Sequence, residues 1–495
     1  MSRNFFLGLL LLSIPGWRAT FCSESPPTIH SITIQGNTRT RSEVIHRELL
    51  FAVGEPLDSS LVAETARNLR RLFYLGNTAL HIREEKGKAN VKVKVQDLYA
   101  RVLSPQFSGQ FNEMDYGLIA LDYNFLGRGQ TVELSLYNRA ISGLSGTAYH
   151  RIPRLLGSRH TLTTNIGISS EEHDLRIALS RPLYALSTRW AYGLSLFSQA
   201  GIQRLYAQQK LTARYENYLG GASLWLTHSL GNRIKYRPGL RLSLQDHHFA
   251  ATSEFLTYAP LDRQRVVPSL TFTIWAPRYE QTRFIHALGR TEDLQIGSWL
   301  SMGIGFSHRH LGSDQNYRSY QIQLSPRLKL LDRSYTFITL FLSTRHRGDQ
   351  FTNRFAMLEL RGYLRFRKIH SLAFRLRGDA LGRQEDSTQL LLGVNHGLRG
   401  YPPRRFDGSH RLLFNLEARP ILYRHPLFVL AGALFVDGGK IWTPGISRAA
   451  LKLGVGAGPR IGLPRIYNTP ILRADLAYGV GDRLWQVFFG LGHYF

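Results

Sequence analysis

The sequence predicts an all-β transmembrane barrel preceded by one small α+β domain, and three observations predict it. From about residue 100 onward, segment after segment alternates apolar with polar side chains. The sequence finishes on Trp485-Gln486-Val487-Phe488-Phe489-Gly490-Leu491-Gly492-His493-Tyr494-Phe495, where Trp485, Val487, Phe489, Leu491 and Phe495 share one face at period two. It begins with a short basic lead and an apolar run, Phe5 to Ile14, broken by Pro15-Gly16.

That run is too short to cross a bilayer as a helix, which takes roughly 20 residues. It reads instead as a secretory leader over residues 1–22. Cys22 is the only cysteine. If the leader removes it, the mature chain has no thiol and no disulfide framework. No later apolar stretch approaches a spanning helix, and mean hydropathy is negative. Aromatic residues at 12% and 45 glycines suit many strands joined by tight turns. Alternation hides the lipid face of such a barrel from hydropathy averaging. The formal net charge of +27 would point to nucleic acid in a cytosolic chain, but a secreted chain lacks that partner.

Residues 27–97 read as a compact domain in the order β-α-α-β-β. Ile32-Thr33-Ile34 is a strand ending at the turn pair Gly36-Asn37, and a helix is expected from Ser42 to Leu50. Asp58 or Ser59 caps a second helix with Leu61, Leu69, Leu72 and Phe73 on one face, stopped by Gly76-Asn77. Two strands follow, 78–83 and 89–96. The run Ile32-x-Ile34-x-Gly36-Asn37-x-Arg39-Thr40, then Ile45-x-x-Glu48-Leu49, then Asn68-Leu69-x-x-Leu72-Phe73 resembles a polypeptide-transport-associated (POTRA) domain. Its free strand edges would accept an extended peptide by strand addition.

Residues 100–495 supply the barrel. Val132, Leu134 and Leu136 alternate with Thr131, Glu133 and Ser135; Leu300, Met302, Ile304 and Phe306 alternate with Ser and Gly. The same holds around 320–330, 358–367 and 372–377, each near the roughly 9–11 residues a tilted membrane strand needs. With the apolar set toward lipid, Arg327, Lys329, Arg361, Arg365, Arg367, Arg375 and Arg377 are expected to line the lumen, because lipid-facing charge is costly. The +27 then reads as a basic interior plus basic loops, some meeting lipopolysaccharide phosphates.

The C-terminal third carries Leu398-Arg399-Gly400-Tyr401, a strand around 412–422 with Glu417, and Phe435-Val436-Asp437-Gly438-Gly439. These resemble the (V/I)RG(F/Y) loop tip and the F-x-D-x-G strand of the BamA/TamA and two-partner-secretion translocase superfamily, with Leu398 a mild departure. Asn124-Phe125-Leu126-Gly127-Arg128-Gly129 is similar to that superfamily's N-x-L-G-x-G turn, and Arg473-Ala474-Asp475-Leu476-Ala477 to its R-x-D-x-A strand. The resemblance is weak over 180–350. It implies that Arg399, Gly400 and Tyr401 fold inward as a lock, Arg399 meeting Asp437 or Glu417. It also implies sixteen antiparallel strands, where alternation alone allows sixteen to twenty. Val487, Phe489, Leu491 and Phe495 would close the barrel and carry the assembly signal; His493 sits where an aromatic or apolar residue is usual.

No G-x-S-x-G, H-E-x-x-H or phosphate-loop pattern is present, so no enzyme is expected. His308 with His310 and His247 with His248 read as loop or lumen residues, and neither metal nor cofactor is expected. By resemblance, the chain is a protein of the bacterial outer membrane with its POTRA domain in the periplasm. It would assemble or export unfolded outer-membrane or secreted polypeptides by strand addition, beside lipid, lipopolysaccharide and periplasmic accessory proteins. A dedicated two-partner pore, which normally carries two POTRA domains and a plug helix, and a basic-lumen anion channel are the alternatives.

Overall fold

The computed structural model describes residues 26–110, 113–252, 260–289, 291–367, 370–385, 388–445, 450–464 and 471–495. The leader expected over 1–22, with Cys22, lies outside the described residues.

The N-terminal domain runs β1 (Thr28–Gln35), α1 (Ser42–His46), α2 (Ser59–Arg70), β2 (Leu75–Glu85) and β3 (Lys88–Asp97). Asp58 caps α2 by accepting from the Ser60 amide at 2.7 Å. In β3, buried Val91, Val93 and Val95 alternate with exposed Lys92, Lys94 and Gln96. The buried set packs on Ile45, Leu69 and Leu75. Two expectations shift. The first helix stops at His46 rather than Leu50, and Gly76-Asn77 opens β2 instead of ending α2. The sheet order β1-β3-β2 leaves β1 and β2 as edges.

The barrel begins at β4 (Arg101–Gln110) and β5 (Glu113–Phe125) and ends with the strand Leu484–Leu491. Among the described residues it closes from 20 antiparallel strands, correcting the expected sixteen. Two strands bend at a proline: Tyr317–Ser325 continues past Pro326 as Arg327–Leu328, and His410–Arg419 past Pro420 as Ile421–Arg424. Twenty is the upper end of what alternation allows; the sixteen came from the resemblance, and the residues could not decide because some hairpins lack a turn signal. Trp190–Ala207 and Lys210–His228 are joined by Gln208 and Gln209, at φ 49° and 73°, where Gly or Asn is usual.

The N-terminal domain sits on the barrel end where β5 turns. Asn124 shapes that turn by accepting from the Gly129 amide (2.7 Å) and donates to the Thr40 hydroxyl (2.8 Å). The Arg41 amide donates to the Gly127 carbonyl at 3.0 Å. The N-x-L-G-x-G segment is therefore the socket for the domain.

Register fixes the faces. Leu134, Leu194, Leu270, Leu358, Leu376 and Leu434 project outward and are exposed. A continuous apolar exterior of this kind is stable only against lipid. Arg327, Arg361, Arg365, Arg375 and Arg377 project inward with Glu359 and Asp379. Arg367 does not: it lies exposed in the turn after Phe366 at φ 45°, one residue past the strand, so its predicted lumenal place is corrected. The inward arginines are not a free basic row. Arg375 and Arg361 donate to Glu359 (2.6 and 3.1 Å), and Arg377 and Arg411 to Asp379 (2.8 and 2.7 Å).

Leu358→Arg, at the middle of an outward face, is expected to destabilise the barrel by about 2–4 kcal/mol. Thr339→Arg, inward beside Glu359, is expected to cost far less. Urea unfolding in lipid vesicles measures both.

Candidate functional site

The connection between His370–Gly382 and His410–Arg419 leaves the barrel end far from the N-terminal domain and folds back into the lumen. A short pairing of Leu390–Leu392 with Phe406–Gly408 closes its base. Leu392, Leu398 and Tyr401 bury themselves against Leu413 and Ile441 of the wall. This apolar anchoring delivers Arg399 to the barrel interior, fully buried.

There Arg399 meets three carboxylates. Its Nε and Nη2 grip Asp437 at 2.6 and 3.0 Å, and Nη1 reaches Glu417 at 2.8 Å and Asp475 at 3.4 Å. A bidentate fork is the strongest geometry available to the pair. Burial alone would lower the Arg399 pKa, but Asp437, Glu417 and Asp475 raise it above its ordinary value. Two more buried arginines balance the acids: Arg419 donates to Glu417 at 2.8 Å, and Arg460 forms an ion pair with Asp475 at 2.7 Å. Asn415 ties Asp437 to the Gly397 carbonyl, both at 2.8 Å. The guanidinium lies between two rings, 3.4 Å from the Phe435 centroid and 4.1 Å from that of Tyr494.

Backbone contact completes the seat. A Cβ on Gly454 would fall 2.0 Å from the Arg399 carbonyl oxygen, and one on Gly479 would fall 2.1 Å from that of Gly400. Gly400 itself has φ +88°, which only glycine adopts without strain. The Tyr401 hydroxyl donates to the Leu453 carbonyl (3.1 Å) and accepts from the Gly481 amide (3.0 Å).

The seam lies beside this seat. Between β4 and the closing strand the register is one pair, Gly109 opposite Phe489, among the described residues. Trp485, Val487, Phe489 and Leu491 project outward, whereas Phe488 points inward beneath Arg473. Phe495 leaves that face, correcting its expected place. After Gly492 (φ +77°) the chain turns into the lumen, and Phe495 packs with Ile285, Tyr335 and Tyr363. Tyr494 donates to the Val394 carbonyl of the lock loop at 2.5 Å, and Arg419 donates to the Phe495 main-chain oxygen at 3.3 Å. Burial and then Arg419 push the His493 pKa well below its ordinary value.

The structure thus brings Arg399, Gly400 and Tyr401 together with both Asp437 and Glu417. Sequence reasoning missed Arg419, Arg460 and Asn415, and gave Asp475, Phe435 and Tyr494 no contact with Arg399. Inward polar residues opposite outward leucines were the available signal for Arg419, Arg460 and Asn415; Tyr494 gave none. No group of three metal-ligating side chains occurs among the described residues.

Residues 27–97 match the family model described as POTRA, surface antigen variable number repeat. The chain thus joins a POTRA domain to a closed antiparallel barrel. BamA from Haemophilus ducreyi lacking POTRA domains 1–3 aligns at 14% identity and TM-score 0.45, covering 94% of this chain and 84% of that one. CdiB from Acinetobacter baumannii aligns at 14% and 0.46, covering 94% and 73%. CdiB from Escherichia coli aligns at 11% and 0.47, covering 94% and 76%. No curated protein matches the chain.

Arg399→Ala leaves three carboxylates facing two arginines, and breaking a buried pair of this kind costs about 3–5 kcal/mol. The barrel is expected to form with the loop released, so that trypsin cuts at Arg404 or Arg405 in the variant and not in the wild type. Gly454→Val, which changes no charge, is expected to release the same loop.

Proposed function

We propose that this chain is an outer-membrane translocase of the BamA/TamA type, inserting or exporting polypeptides by strand addition, with its POTRA domain in the periplasm. The observation that carries the reading is the seam. Among the described residues, β4 from Arg101 to Ser108 pairs with β5 on one side and takes no register partner from the closing strand, which it meets at Gly109 opposite Phe489. Because the tail turns inward at Gly492, β4 below Gly109 presents an edge to which an extended chain can add. Main-chain pairing and apolar burial then drive the reaction without nucleotide. Arg399 is the lock that sets the seam strands in place, with Asp437 and Glu417 as its partners.

Among the described residues the barrel has 20 strands, more than the sixteen usual in that superfamily. Quantitative proteomics of outer membrane and medium after depletion tests the reading. Loss of several barrel proteins from the membrane is the expected result. Loss of a single secreted protein would assign a dedicated exporter, and no change in either fraction would overturn translocation in favour of an anion channel.

A further inference from the structure

The connection 276–298, between the strands Arg263–Trp275 and Trp299–Ser307, is not a plain turn. Tyr279–Thr282 pairs with Glu292–Gln295 as an isolated hairpin that joins no barrel strand. Its tip enters the lumen from the POTRA end. Phe284 and Leu288 pack on inward-facing Ile421, Val429, Ala431 and Ile471. Ile285 and Leu294 pack on Tyr335, Phe337, Tyr363 and Ala373, with Phe495 against them. The Glu292 carboxylate closes the tip by accepting from the Ile285 and His286 amides at 3.0 and 3.2 Å. Burial, then Arg419, Arg361 and Arg327, bring the His286 pKa down to about 4, so it adds no charge to this apolar mouth.

The outer end of the same hairpin is held by the POTRA domain. Arg70 of α2 grips Asp293 with both arms at 2.9 Å. Arg71 donates to the Tyr279 hydroxyl at 3.0 Å, and Arg67 stacks 4.5 Å above the Tyr279 ring. Beside these contacts a cleft of about 660 Å³, lined by Arg39, Asp97, Tyr99, Gln281 and Arg283 among others, separates domain from hairpin.

We propose that this hairpin is a plug for the barrel's POTRA-side mouth whose position is set by helix α2. It rests on the reading of the chain as a membrane barrel with a movable POTRA domain. A two-stranded hairpin is at best marginally stable alone. This one shares no ladder with the wall, so side chains hold it: apolar ones inside, three POTRA arginines outside, and polar wall contacts between, where Lys329 and Tyr335 donate to Glu280 (3.1 and 2.8 Å) and Arg365 to the Arg283 carbonyl (3.2 Å). A shift of the POTRA domain pulls on Asp293 and Tyr279 and withdraws the tip, opening the lumen beneath Phe495. The polar grip is partly exposed, Arg70 at 19% and Asp293 at 11%, so it parts at less cost than the buried lock above.

The test is single-channel recording of the full chain in planar bilayers. Arg70→Glu is expected to raise the open fraction at least tenfold, and Arg70→Glu with Asp293→Arg to return it to within twofold of wild type. A cysteine pair gives the opposite control. A Cβ on Gly462 would lie 2.6 Å from that of Leu288, so a small shift allows Leu288→Cys and Gly462→Cys to bond. Oxidation in the Arg70→Glu background is expected to cut the open fraction at least tenfold, and reduction to restore it. An open fraction that ignores Arg70→Glu, or ignores oxidation, overturns the plug. Conductance involves no client, so failure here with clients still lost on depletion leaves the translocase reading intact, and the converse removes that reading alone.

Discussion

A guanidinium buried inside a membrane barrel has to be neutralised where it lies, and most of the lumen is arranged around that constraint. Arg399 has no water to turn to, and an isolated charge at such depth costs several kcal/mol. Asp437, Glu417 and Asp475 come from three different strands, so they converge only if the register across the wall is held. Arg419 and Arg460 then become necessary, since three buried acids facing one arginine would be as costly as an unpaired base. The network therefore specifies one arrangement of loop and wall more than it adds stability.

The loop backbone has to approach the wall closely for the fork to reach. Glycines at 454 and 479 make that possible; any side chain there would collide with the Arg399 or Gly400 carbonyl. Two rings shield the remaining faces of the guanidinium, and one of them, Tyr494, belongs to the inturned tail. The lock and the closing strand are thereby one packed unit: moving the tail uncovers Arg399, and releasing the loop removes the carbonyl of Val394 from the Tyr494 hydroxyl.

Alternation along strands is a local property, and it is why the barrel, its lipid face and its inward arginines could be read from residues alone. Arg399, Asp437 and Glu417 were legible as a group through a resemblance, since nothing in their spacing says which strands face one another. Strand number failed through the resemblance: alternation allowed sixteen to twenty, and a turn such as Gln208-Gln209, with no glycine to announce it, could not decide within that range. Arg367 failed because a strand end moved by one residue takes a side chain off its face. Phe495 failed because period two holds only while the chain stays in the strand, and Gly492 ends it. The hairpin at 279–295 was invisible for a different reason: its apolar tip looks like any short loop until inward-facing side chains of the wall surround it.

Barrel diameter grows roughly linearly with strand number, and twenty strands leave more interior than wall side chains can fill. The chain fills it with its own segments, the lock loop from one end and the hairpin from the other. The last residues lie between them: Tyr494 touches the loop and Phe495 the hairpin's apolar tip. This arrangement holds the closing strand from inside as well as from its flank. It pairs with Leu472–Gly479 along its length, and its tail is anchored inward between the two fillers. On the reading proposed above, such an anchor lets the β4 edge take an added strand while the barrel stays closed.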